Sequence, residues 1–312
     1  MKNLIWEAEG ARRALITGAS GGIGEAFARI LAAEGWELAL VARNEEQLNR
    51  VAGVLRATHQ SRVRVIPLDL SKPESGERLV EALGKYGMEP DVVINNAGFG
   101  LAGPADELPL DEQLRMIDLN VRAATELSLR FLPAMKMRGR GGLLNVASLA
   151  AFMPGPNMAV YFATKAYLLS FTEALAEEAA GSGLTISAFC PGPVRTSFID
   201  RAGMRRTWMV RLMRPAKADK AAWDGWQGFK EGRVIITPGL MTTLTAMLTR
   251  MTPRIMNRRI TRLLLAPRRG RKSRQEATRT AQAKETSEVA ETTGTTGTQT
   301  PETPRTGKRG DG

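Results

Sequence analysis

Short apolar runs alternate with longer amphipathic segments along most of the chain, from Ala14 to Thr237. The runs have the length and residue types of buried strands, whereas the segments between them have helical periodicity. The runs interpreted as strands are Ala14–Thr17, Glu37–Ala42, Val63–Leu68, Val92–Ile94, Leu184–Cys190 and Arg233–Thr237. This alternation is typical of parallel strands with helices on both faces of the sheet. The pattern therefore predicts an α/β fold, a doubly wound parallel sheet of about seven strands in a single domain.

A basic amphipathic segment follows the alternating region, at residues 240–272. Apolar residues and arginines recur there at helical spacing, and no Asp or Glu occurs between Gly232 and Gln275. The arginines at helical spacing are Arg250, Arg254, Arg258, Arg259 and Arg262. Pro253 is expected to divide the segment into two helices, with Thr252 capping the second. Such helices either lie on an anionic membrane surface or pack against the core or a second subunit. Nucleic acid is not an expected partner.

The chain divides into three regions by composition. Residues 1–239 hold the predicted strands and two long predicted helices, Leu110–Met137 and Asn157–Ala180. Residues 240–272 form the basic helical extension, and residues 273–312 are rich in Thr, Glu, Gly, Lys and Arg. A tail with so few large apolar side chains cannot offset the entropy of ordering, so it is expected to be disordered.

Composition narrows the class of protein. With 312 residues, 43% of them hydrophobic, the chain can bury a substantial core, and its net charge of +12 bears on surface partners and not on the fold. Cys190 lies in an apolar run and is expected to be buried and inert; as the single cysteine it permits no intrachain disulfide. His59 is the single histidine, so neither a histidine metal site nor a serine–histidine triad is expected. Neither a secretory signal nor a membrane-spanning apolar run is predicted. We expect a cytoplasmic protein, with contact at a membrane surface as an alternative.

A glycine-rich turn, Thr17–Gly24, joins the first predicted strand to a helical pattern that runs from Glu25 to Ala33. Glycines let the backbone approach a pyrophosphate closely, and the N-terminus of the following helix supplies free N–H groups and partial positive charge. The motif requires a strand before it and a helix after it, and both are predicted here. The turn therefore indicates a dinucleotide site, and the alternative is a flexible connection.

The end of the second predicted strand bears on which dinucleotide binds. Folds that prefer NAD usually carry an acidic residue about twenty positions after the glycines, where it holds the 2′-hydroxyl of the adenosine ribose. This chain has Ala42 and Arg43 there. Arg43 can pair with a 2′-phosphate, and no carboxylate would repel that phosphate. The cofactor is therefore expected to be NADP, with NAD as the alternative if Arg43 merely points into solvent.

Tyr161 and Lys165 stand four residues apart on the second long predicted helix, so they share one face. A tyrosine with its ordinary pKa of about 10 is a poor proton shuttle near neutrality. A neighbouring ammonium is expected to lower the pKa of the tyrosine, which makes the phenol usable as a general acid or base. The alternative is an ordinary solvated helix face, and the remaining motifs favour the chemical interpretation.

Taken together, these motifs resemble the short-chain dehydrogenase/reductase family over residues 13–239. Residues 17–24 match that family's pattern Thr-Gly-x-x-x-Gly-x-Gly at every fixed position. Asn95–Gly98 is similar to the loop with which the family stabilises its sheet and contacts the cofactor. Pro191–Thr196 is similar to the loop that closes on the nicotinamide, and Asp69 to the acidic residue near the adenine.

The resemblance implies a Rossmann-type fold, an NAD(P)-dependent oxidoreductase and a set of site residues. The implied catalytic residues are Asn120, Ser148, Tyr161 and Lys165, and Ser148 precedes the tyrosine by the family's usual interval. The implied cofactor-binding residues are Thr17, Gly18, Ser20, Gly22, Ile23, Gly24, Arg43, Asp69, Asn96, Ala97, Gly98, Tyr161, Lys165, Pro191, Gly192, Val194 and Thr196. Members that prefer NADP often have a basic residue where this chain has Gly21, so the NADP preference depends on Arg43. No metal is implied.

In such an enzyme Tyr161 gives or takes the proton on the substrate oxygen, while Lys165 holds the phenolate state and bonds the nicotinamide ribose. Ser148 stabilises charge on the substrate oxygen. By the same analogy Asn120 positions a water that links the lysine to solvent. The resemblance also implies a homo-oligomer, a dimer or a tetramer.

The segment 195–231 is where the family usually builds its substrate lid. Here it mixes large apolar residues with arginines, which predicts a lipophilic carbonyl or alcohol substrate; the alternative is an ordinary amphipathic surface helix. Two other functions stay open at this point. One is a regulatory protein that binds the dinucleotide without turnover, and the other is a surface-binding protein that acts through residues 240–272.

Overall fold

The computed structural model of the chain describes residues 12–204, 207–213 and 215–266. The strands are β1 (Arg13–Thr17), β2 (Glu37–Ala42), β3 (Val63–Pro67), β4 (Val92–Asn95), β5 (Gly141–Val146), β6 (Leu184–Phe189), β7 (Val194–Arg195), β8 (Ala216–Lys217) and β9 (Ile235–Ile236). The helices are α1 (Gly22–Ala33), α2 (Glu45–His59), α3 (Ser75–Lys85), α4 (Leu110–Ile117), α5 (Ala124–Arg138), α6 (Ala159–Glu178), α7 (Ser197–Arg201), α8 (Trp208–Leu212), α9 (Ala218–Lys230), α10 (Leu240–Met251) and α11 (Arg254–Leu265).

A seven-stranded parallel sheet organises the described part of the chain, in the order β3-β2-β1-β4-β5-β6-β9. Strand β1 pairs on one side with β2 and on the other with β4, so that Leu15 lies between Ala39 and Val93. The direction of winding reverses at this point, and doubly wound sheets bind their ligands in the crevice outside such a reversal. The predicted α/β fold, with a Rossmann-type parallel sheet of seven strands, is confirmed.

Strand β5 is absent from the strands that the sequence pattern identified. It begins with Gly141 and Gly142, which have low strand propensity and contribute no apolar side chain to the pattern. In the structure it pairs with β4 and β6 along its length, and all six of its residues are buried. Pairing with two neighbours, not local propensity, makes this segment a strand.

Helices cover both faces of the sheet, and alternate residues of β1 show the division. Ile16 packs in one core cluster with Phe27 of α1 and Trp226 of α9. Leu15, one residue earlier, packs in a second cluster on the opposite face with Leu127 of α5. Burial of each such side chain is worth about 1.5–3 kcal/mol. The two cores hold the carboxyl ends of the strands in fixed positions.

The long helix predicted at Leu110–Met137 is interrupted. A π-helical segment, Asp118–Ala123, separates α4 from α5. Segments of this kind inside helices occur frequently at functional positions, because the wider turn re-aims one side chain, and Asn120 lies in this one. The other long helix matches its prediction more closely, as α6 spans Ala159–Glu178 against the expected Asn157–Ala180.

The basic segment after Gly239 forms the two helices α10 and α11, with Pro253 between them as expected. The expectation that Thr252 caps the second helix is wrong. Its hydroxyl donates backwards to Leu248 O of α10 at 2.7 Å, and Pro253 occupies the N-cap position of α11. Helix α10 packs beside a 3-10 turn, Leu149–Phe152, and α11 beside α8. The predicted end of this extension at residue 272 lies outside the described residues, as does the whole tail at 273–312. Both stay predictions. In the part of the chain that the structure covers, each helix is too short or too polar to cross a bilayer.

Candidate active site

A cleft of about 1140 Å³ runs along the carboxyl ends of β1, β4, β5 and β6. Most of the site residues expected from the sequence line it, although they come from distant parts of the chain. Those that line it are Gly18, Ser20, Gly22, Ile23, Arg43, Asp69, Asn96, Ala97, Gly98, Ser148, Tyr161, Lys165, Pro191, Gly192, Val194 and Thr196. The other three, Thr17, Gly24 and Asn120, do not line the cleft.

The glycine-rich turn after β1 is shaped by close backbone packing. Gly18 and Gly22 have φ angles of 65° and 61°, which side-chain-bearing residues rarely adopt. A Cβ at Gly18 would lie 2.7 Å from Nδ2 of Asn96, and one at Gly24 would collide with the carbonyl of Gly18. Because α1 begins at Gly22, its first N–H groups lie at the cleft. This arrangement fits a dinucleotide pyrophosphate.

Thr17 connects the glycine-rich turn to the loop after β4. Its buried hydroxyl donates to Ile94 O and accepts from the N–H groups of Asn96 and Ala97, the latter two bonds being 2.9 Å long. The Asn96 amide returns two hydrogen bonds, to the carbonyls of Thr17 and Gly18. Thr17 and Gly24 therefore hold the two loops in place from behind the cleft.

The outer end of the cleft carries Arg43 and Asp69, at the ends of β2 and β3. Burial acts to raise the pKa of the Asp69 carboxyl, but hydrogen bonds from Ser71 and the charges of Arg43 and Arg115 outweigh it and hold that pKa below its ordinary value. Arg43 is exposed, and within the described ranges it forms no salt bridge. Its guanidinium is available to a phosphate at this end of the cleft. The sequence pattern missed Arg50, which also lines the cleft and lies 3.5 Å from Glu25.

Tyr161 and Lys165 lie on one face of α6, as their spacing predicts, and both side chains are buried, with 8% and 5% of their surface exposed. The lysine ammonium donates to Val146 O at 2.8 Å and lies 5.9 Å from the centre of the tyrosine ring. These contacts exclude the alternative of a solvated helix face.

The expected effect of the lysine on the tyrosine is wrong for this geometry. Burial raises the pKa of Tyr161 to about 12, and a hydrogen bond with Ser148 opposes the rise only in part. Burial also lowers the pKa of the Lys165 ammonium to about 8, with the neighbouring Cys190 acting in the opposite direction. Spacing alone predicted the pairing, but it carried no information on how little water reaches the two groups.

Ser148 and Asn120 are both held by backbone groups. Ser148 precedes the 3-10 turn, and its oxygen accepts from Ala150 N at 3.1 Å, which leaves its own proton to donate. The Asn120 amide donates to Phe99 O at 2.9 Å and to the Thr164 hydroxyl, while its oxygen accepts from Phe99 N. The π-helical segment thus turns Asn120 inward, behind the lysine and tyrosine.

The inner part of the cleft is apolar. Its walls come from the region after β5 and from the predicted lid at 195–231, which folds as α7, α8 and α9 with β8 between the last two. The apolar residues that line it there are Met153, Phe162, Phe198, Ile199, Met204, Met209 and Met213. The Phe198 ring packs on that of Tyr161, with ring centres 5.4 Å apart. Of the arginines predicted in the lid, Arg205, Arg206 and Arg214 lie outside the described residues.

Part of the wall comes from the C-terminal helices, which the sequence pattern did not assign to the site. The lining residues of α10, α11 and the turn between them are Thr245, Leu248, Thr249, Thr252, Asn257, Ile260, Thr261 and Leu264. A helical period gives the spacing of such residues but not the surface on which they pack. The expectation of packing against the core holds for this face of the two helices.

Cys190 is buried, as expected, and burial raises the pKa of its thiol to about 12. Within the described ranges no group of three or more His, Cys, Asp and Glu side chains is placed to hold a metal ion. The titratable side chains that line the described cleft are Arg43, Arg50, Asp69, Tyr161 and Lys165.

Residues 12–206 match the family model of the short chain dehydrogenases. The chain belongs to this family. An uncharacterised oxidoreductase of Staphylococcus aureus strain MRSA252 is 35% identical over 184 residues, which is 59% of this chain and 78% of that protein. A short-chain dehydrogenase of Sphingobium yanoikuyae, solved with NADPH, is 31% identical with a TM-score of 0.68, over 73% of this chain and 88% of its own. A short-chain dehydrogenase/reductase of Burkholderia phymatum, solved with NAD, is 27% identical with a TM-score of 0.68. The match covers 76% of this chain and 92% of that protein.

Membership of the family makes the protein an oxidoreductase that uses a nicotinamide dinucleotide on the alcohol or carbonyl group of a small molecule. The matched model ends at residue 206, before α10 and α11. These two helices therefore add to the cleft from outside the matched region.

Replacing Gly24 with alanine is expected to weaken both the fold and dinucleotide binding, because the new Cβ would collide with the carbonyl of Gly18. We expect a loss of about 1–3 kcal/mol in the free energy of unfolding, the usual cost of overpacking. Urea unfolding and NADPH fluorescence titration measure the two effects. Gly21→Ala is the matched control, since a Cβ there meets nothing within 4 Å. Equal behaviour of the two variants would contradict the packing argument.

Proposed function

We propose that the protein is an NADP(H)-dependent oxidoreductase that interconverts a lipophilic carbonyl compound and the corresponding alcohol, with Tyr161 as proton donor and acceptor. One observation carries this proposal. Ser148 and Tyr161 both line the cleft where its glycine-lined part meets its apolar part, and Ser148 is near enough to oppose the rise in the pKa of the tyrosine. A carbonyl oxygen placed there would meet two hydroxyl donors.

Tyr161 is protonated at neutral pH, as a proton donor must be, although its raised pKa makes it a weaker acid than an ordinary tyrosine. A phenol with a pKa of about 12 keeps its proton at neutral pH and can give it to an oxygen that gains negative charge. The Ser148 hydroxyl accepts from Ala150 N, and its own proton can be donated to the same oxygen. Donors fixed in advance stabilise such charge without reorganisation. A bound nicotinamide dinucleotide supplies or accepts the hydride.

Lys165 and Asn120 would support the tyrosine. The lysine ammonium uses one proton on Val146 O, and its remaining protons can bond ribose hydroxyls and the tyrosine oxygen. Burial keeps the pKa of Tyr161 high before the reaction, and a positive charge near that oxygen would lower the cost of the phenolate formed after proton transfer. Asn120 holds the backbone at Phe99 against α6 and in this way fixes one side of the proton path.

The preference for NADP rests on Arg43. Its exposed guanidinium lies at the end of β2, and no acidic residue takes the position that would bond a ribose 2′-hydroxyl. Asp69 is held ionised next to the guanidinium, at the adenine end of the cleft. The lipophilic substrate follows from the methionine and phenylalanine walls around Tyr161.

A dinucleotide-binding regulator without turnover is the second candidate. It has no need of a buried Ser148–Tyr161–Lys165 set, since burying an ammonium costs several kcal/mol. A protein that acts only as a surface binder is disfavoured by the contribution of α10 and α11 to the cleft. The cytoplasmic location and the homo-oligomeric state stay predictions.

Tyr161→Phe is expected to lower kcat for carbonyl reduction by about 10²–10⁴-fold, the usual contribution of a positioned acid. NADPH binding should change little, because the ring stays in place. Oxidation of NADPH against a panel of aldehydes, ketones and 3-oxoacyl thioesters measures turnover. Tyr167→Phe, on the same helix but exposed and bonded to Thr125, is the control. A wild type that binds NADPH yet reduces none of these compounds would favour the regulator.

Arg43→Ala is expected to weaken NADPH binding by about 1–3 kcal/mol, the range for a hydrogen bond to a charged group, and to leave NADH binding nearly unchanged. Fluorescence titration of both cofactors gives the comparison. Arg62→Ala, an exposed arginine paired with Glu37 on the neighbouring strand, serves as the control. Equal losses for NADPH and NADH would show that the guanidinium does not recognise the phosphate.

The affinity for NADPH is expected to fall as pH rises through about 8. Burial lowers the pKa of the Lys165 ammonium to about 8 in the folded protein, so the charge that attracts the dinucleotide is present below this pH and lost above it. Titrations between pH 6.5 and pH 9.5, roughly, cover the transition. Lys165→Met should bind weakly with no such dependence, whereas the exposed Lys136→Met should behave as wild type. If the affinity of the wild type for NADPH does not change across this pH range, the role assigned to the Lys165 charge is contradicted.

A further inference from the structure

The two C-terminal helices turn a mixed polar and apolar side toward the enzyme and expose most of their large apolar residues. Their buried residues are Ala246, Asn257, Thr261 and Leu265, and threonines of α10 lie half-buried beside them. The exposed large apolar residues are Leu240, Met241, Leu244, Met247, Leu248, Met251, Ile255, Met256, Ile260 and Leu263. An ordinary surface helix has the opposite arrangement. We refer to these ten side chains as the outer face.

Specific hydrogen bonds fix this orientation. The buried Asn257 of α11 donates to the carbonyls of Thr249 and Thr252, at 2.8 Å and 3.2 Å, and so joins the two helices. The Thr249 hydroxyl bonds the backbone of its own helix. The polar groups of Asn257 and Thr249 therefore have hydrogen-bond partners in this orientation. Rotating α11 to bury the outer face would remove the partners of Asn257, whereas the threonine bonds would turn with their own helix.

The helices of the outer face are also strongly basic. Arg254, Arg258, Arg259 and Arg262 are exposed and form no salt bridge within the described part of the chain. Arg250 is the exception, with its guanidinium 3.5 Å from the Glu173 carboxylate. No acidic residue occurs between Gly232 and Gln275. The surface thus combines a large apolar patch with uncompensated positive charge.

We propose that the outer face of α10 and α11 binds an anionic lipid surface. A contiguous exposed apolar patch of this kind marks an interaction site. In the interface of a bilayer, apolar side chains enter the acyl boundary while arginines pair with anionic headgroups. A second copy of this chain fits less well, because it would bring two sets of arginines together, and interface cores are depleted in charge.

The outer face is continuous with the rim of the cleft. Leu248 and Ile260 line the cleft, yet 53% and 48% of their surfaces are exposed. A lipophilic compound dissolved in the bilayer would therefore reach the cleft beside the lipid contact. This part of the inference rests on the proposed function, whereas the lipid contact itself does not.

Sedimentation of the full chain with vesicles tests the proposal. We expect binding to vesicles that contain phosphatidylglycerol, and little binding to vesicles of phosphatidylcholine alone. Arg258→Gln/Arg259→Gln should weaken partition by about tenfold or more, since each basic residue near such a surface contributes severalfold. Met247→Gln/Met251→Gln should weaken it as well, through loss of apolar burial. None of these four side chains lines the cleft, so reduction of a water-soluble carbonyl compound should be unchanged.

Matched controls remove the same groups elsewhere. Arg78→Gln/Lys85→Gln takes two exposed charges from α3, and Leu110→Gln/Leu114→Gln takes two exposed leucines from α4. Both should sediment as wild type. Equal binding to neutral and anionic vesicles, or unchanged binding of the arginine variant, would overturn the proposal. The proposal would also be overturned if neither protein bound vesicles and light scattering showed the wild type as a dimer and Met247→Gln/Met251→Gln as a monomer.

The tyrosine variant separates this inference from the proposed function. Tyr161→Phe should sediment as wild type, because the outer face does not include that residue. A wild type that binds anionic vesicles but reduces no carbonyl compound would overturn the enzymatic proposal alone. A wild type that reduces such compounds but ignores the vesicles would overturn the lipid contact alone.

Discussion

The parallel pairing of β1 with β4 is the constraint on which the site depends. It sets the loops after these two strands side by side, and the Thr17 hydroxyl then bonds both of them. The close approach of Gly24 to Gly18 is possible only because no side chain stands between them. Since β5 and β6 extend the same sheet, the loops that carry Ser148 and Pro191 open into the same cleft. Strand order thus brings the proposed catalytic and cofactor-binding residues to one cleft.

Burial of two titratable groups is the second physical feature of the site. A buried ammonium is costly unless it has close partners, and Lys165 has the Val146 carbonyl at 2.8 Å. The same exclusion of water raises the pKa of Tyr161 and strengthens each hydrogen bond that a substrate oxygen would make. The free energy lost by burying these groups is offset by the two apolar cores on either side of the sheet, which hold α6 and β5 in place. Burial of Tyr161 and Lys165 therefore lowers the stability of the fold while it strengthens the interactions available to a substrate.

The features that were predicted correctly are those that depend on short stretches of sequence. The glycine-rich turn, the pairing of Tyr161 with Lys165 and the break at Pro253 each follow from spacing within one turn or one helix. Features set by distant partners were missed. Gly141 and Gly142 look unlike a strand until β4 and β6 flank them. The π-helical segment depends on bonds from Asn120 to Phe99, twenty-one residues away, and the raised pKa of the tyrosine depends on packing from several elements.

The C-terminal helices illustrate why amphipathic periodicity does not determine which side is buried. A helical pattern of leucines and arginines is compatible with either orientation, and hydrophobic burial alone would turn the leucines inward. Here the Asn257 amide has its partners on the inside of the helix pair, at the end of α10, while the cleft already has apolar walls from α7 and α8. Satisfying the buried amide then leaves the apolar side chains outside. Leaving the buried amide unpaired would cost about 1–3 kcal/mol, so its bonds to α10 oppose a rotation of α11, and the leucines and methionines stay exposed on the outer face.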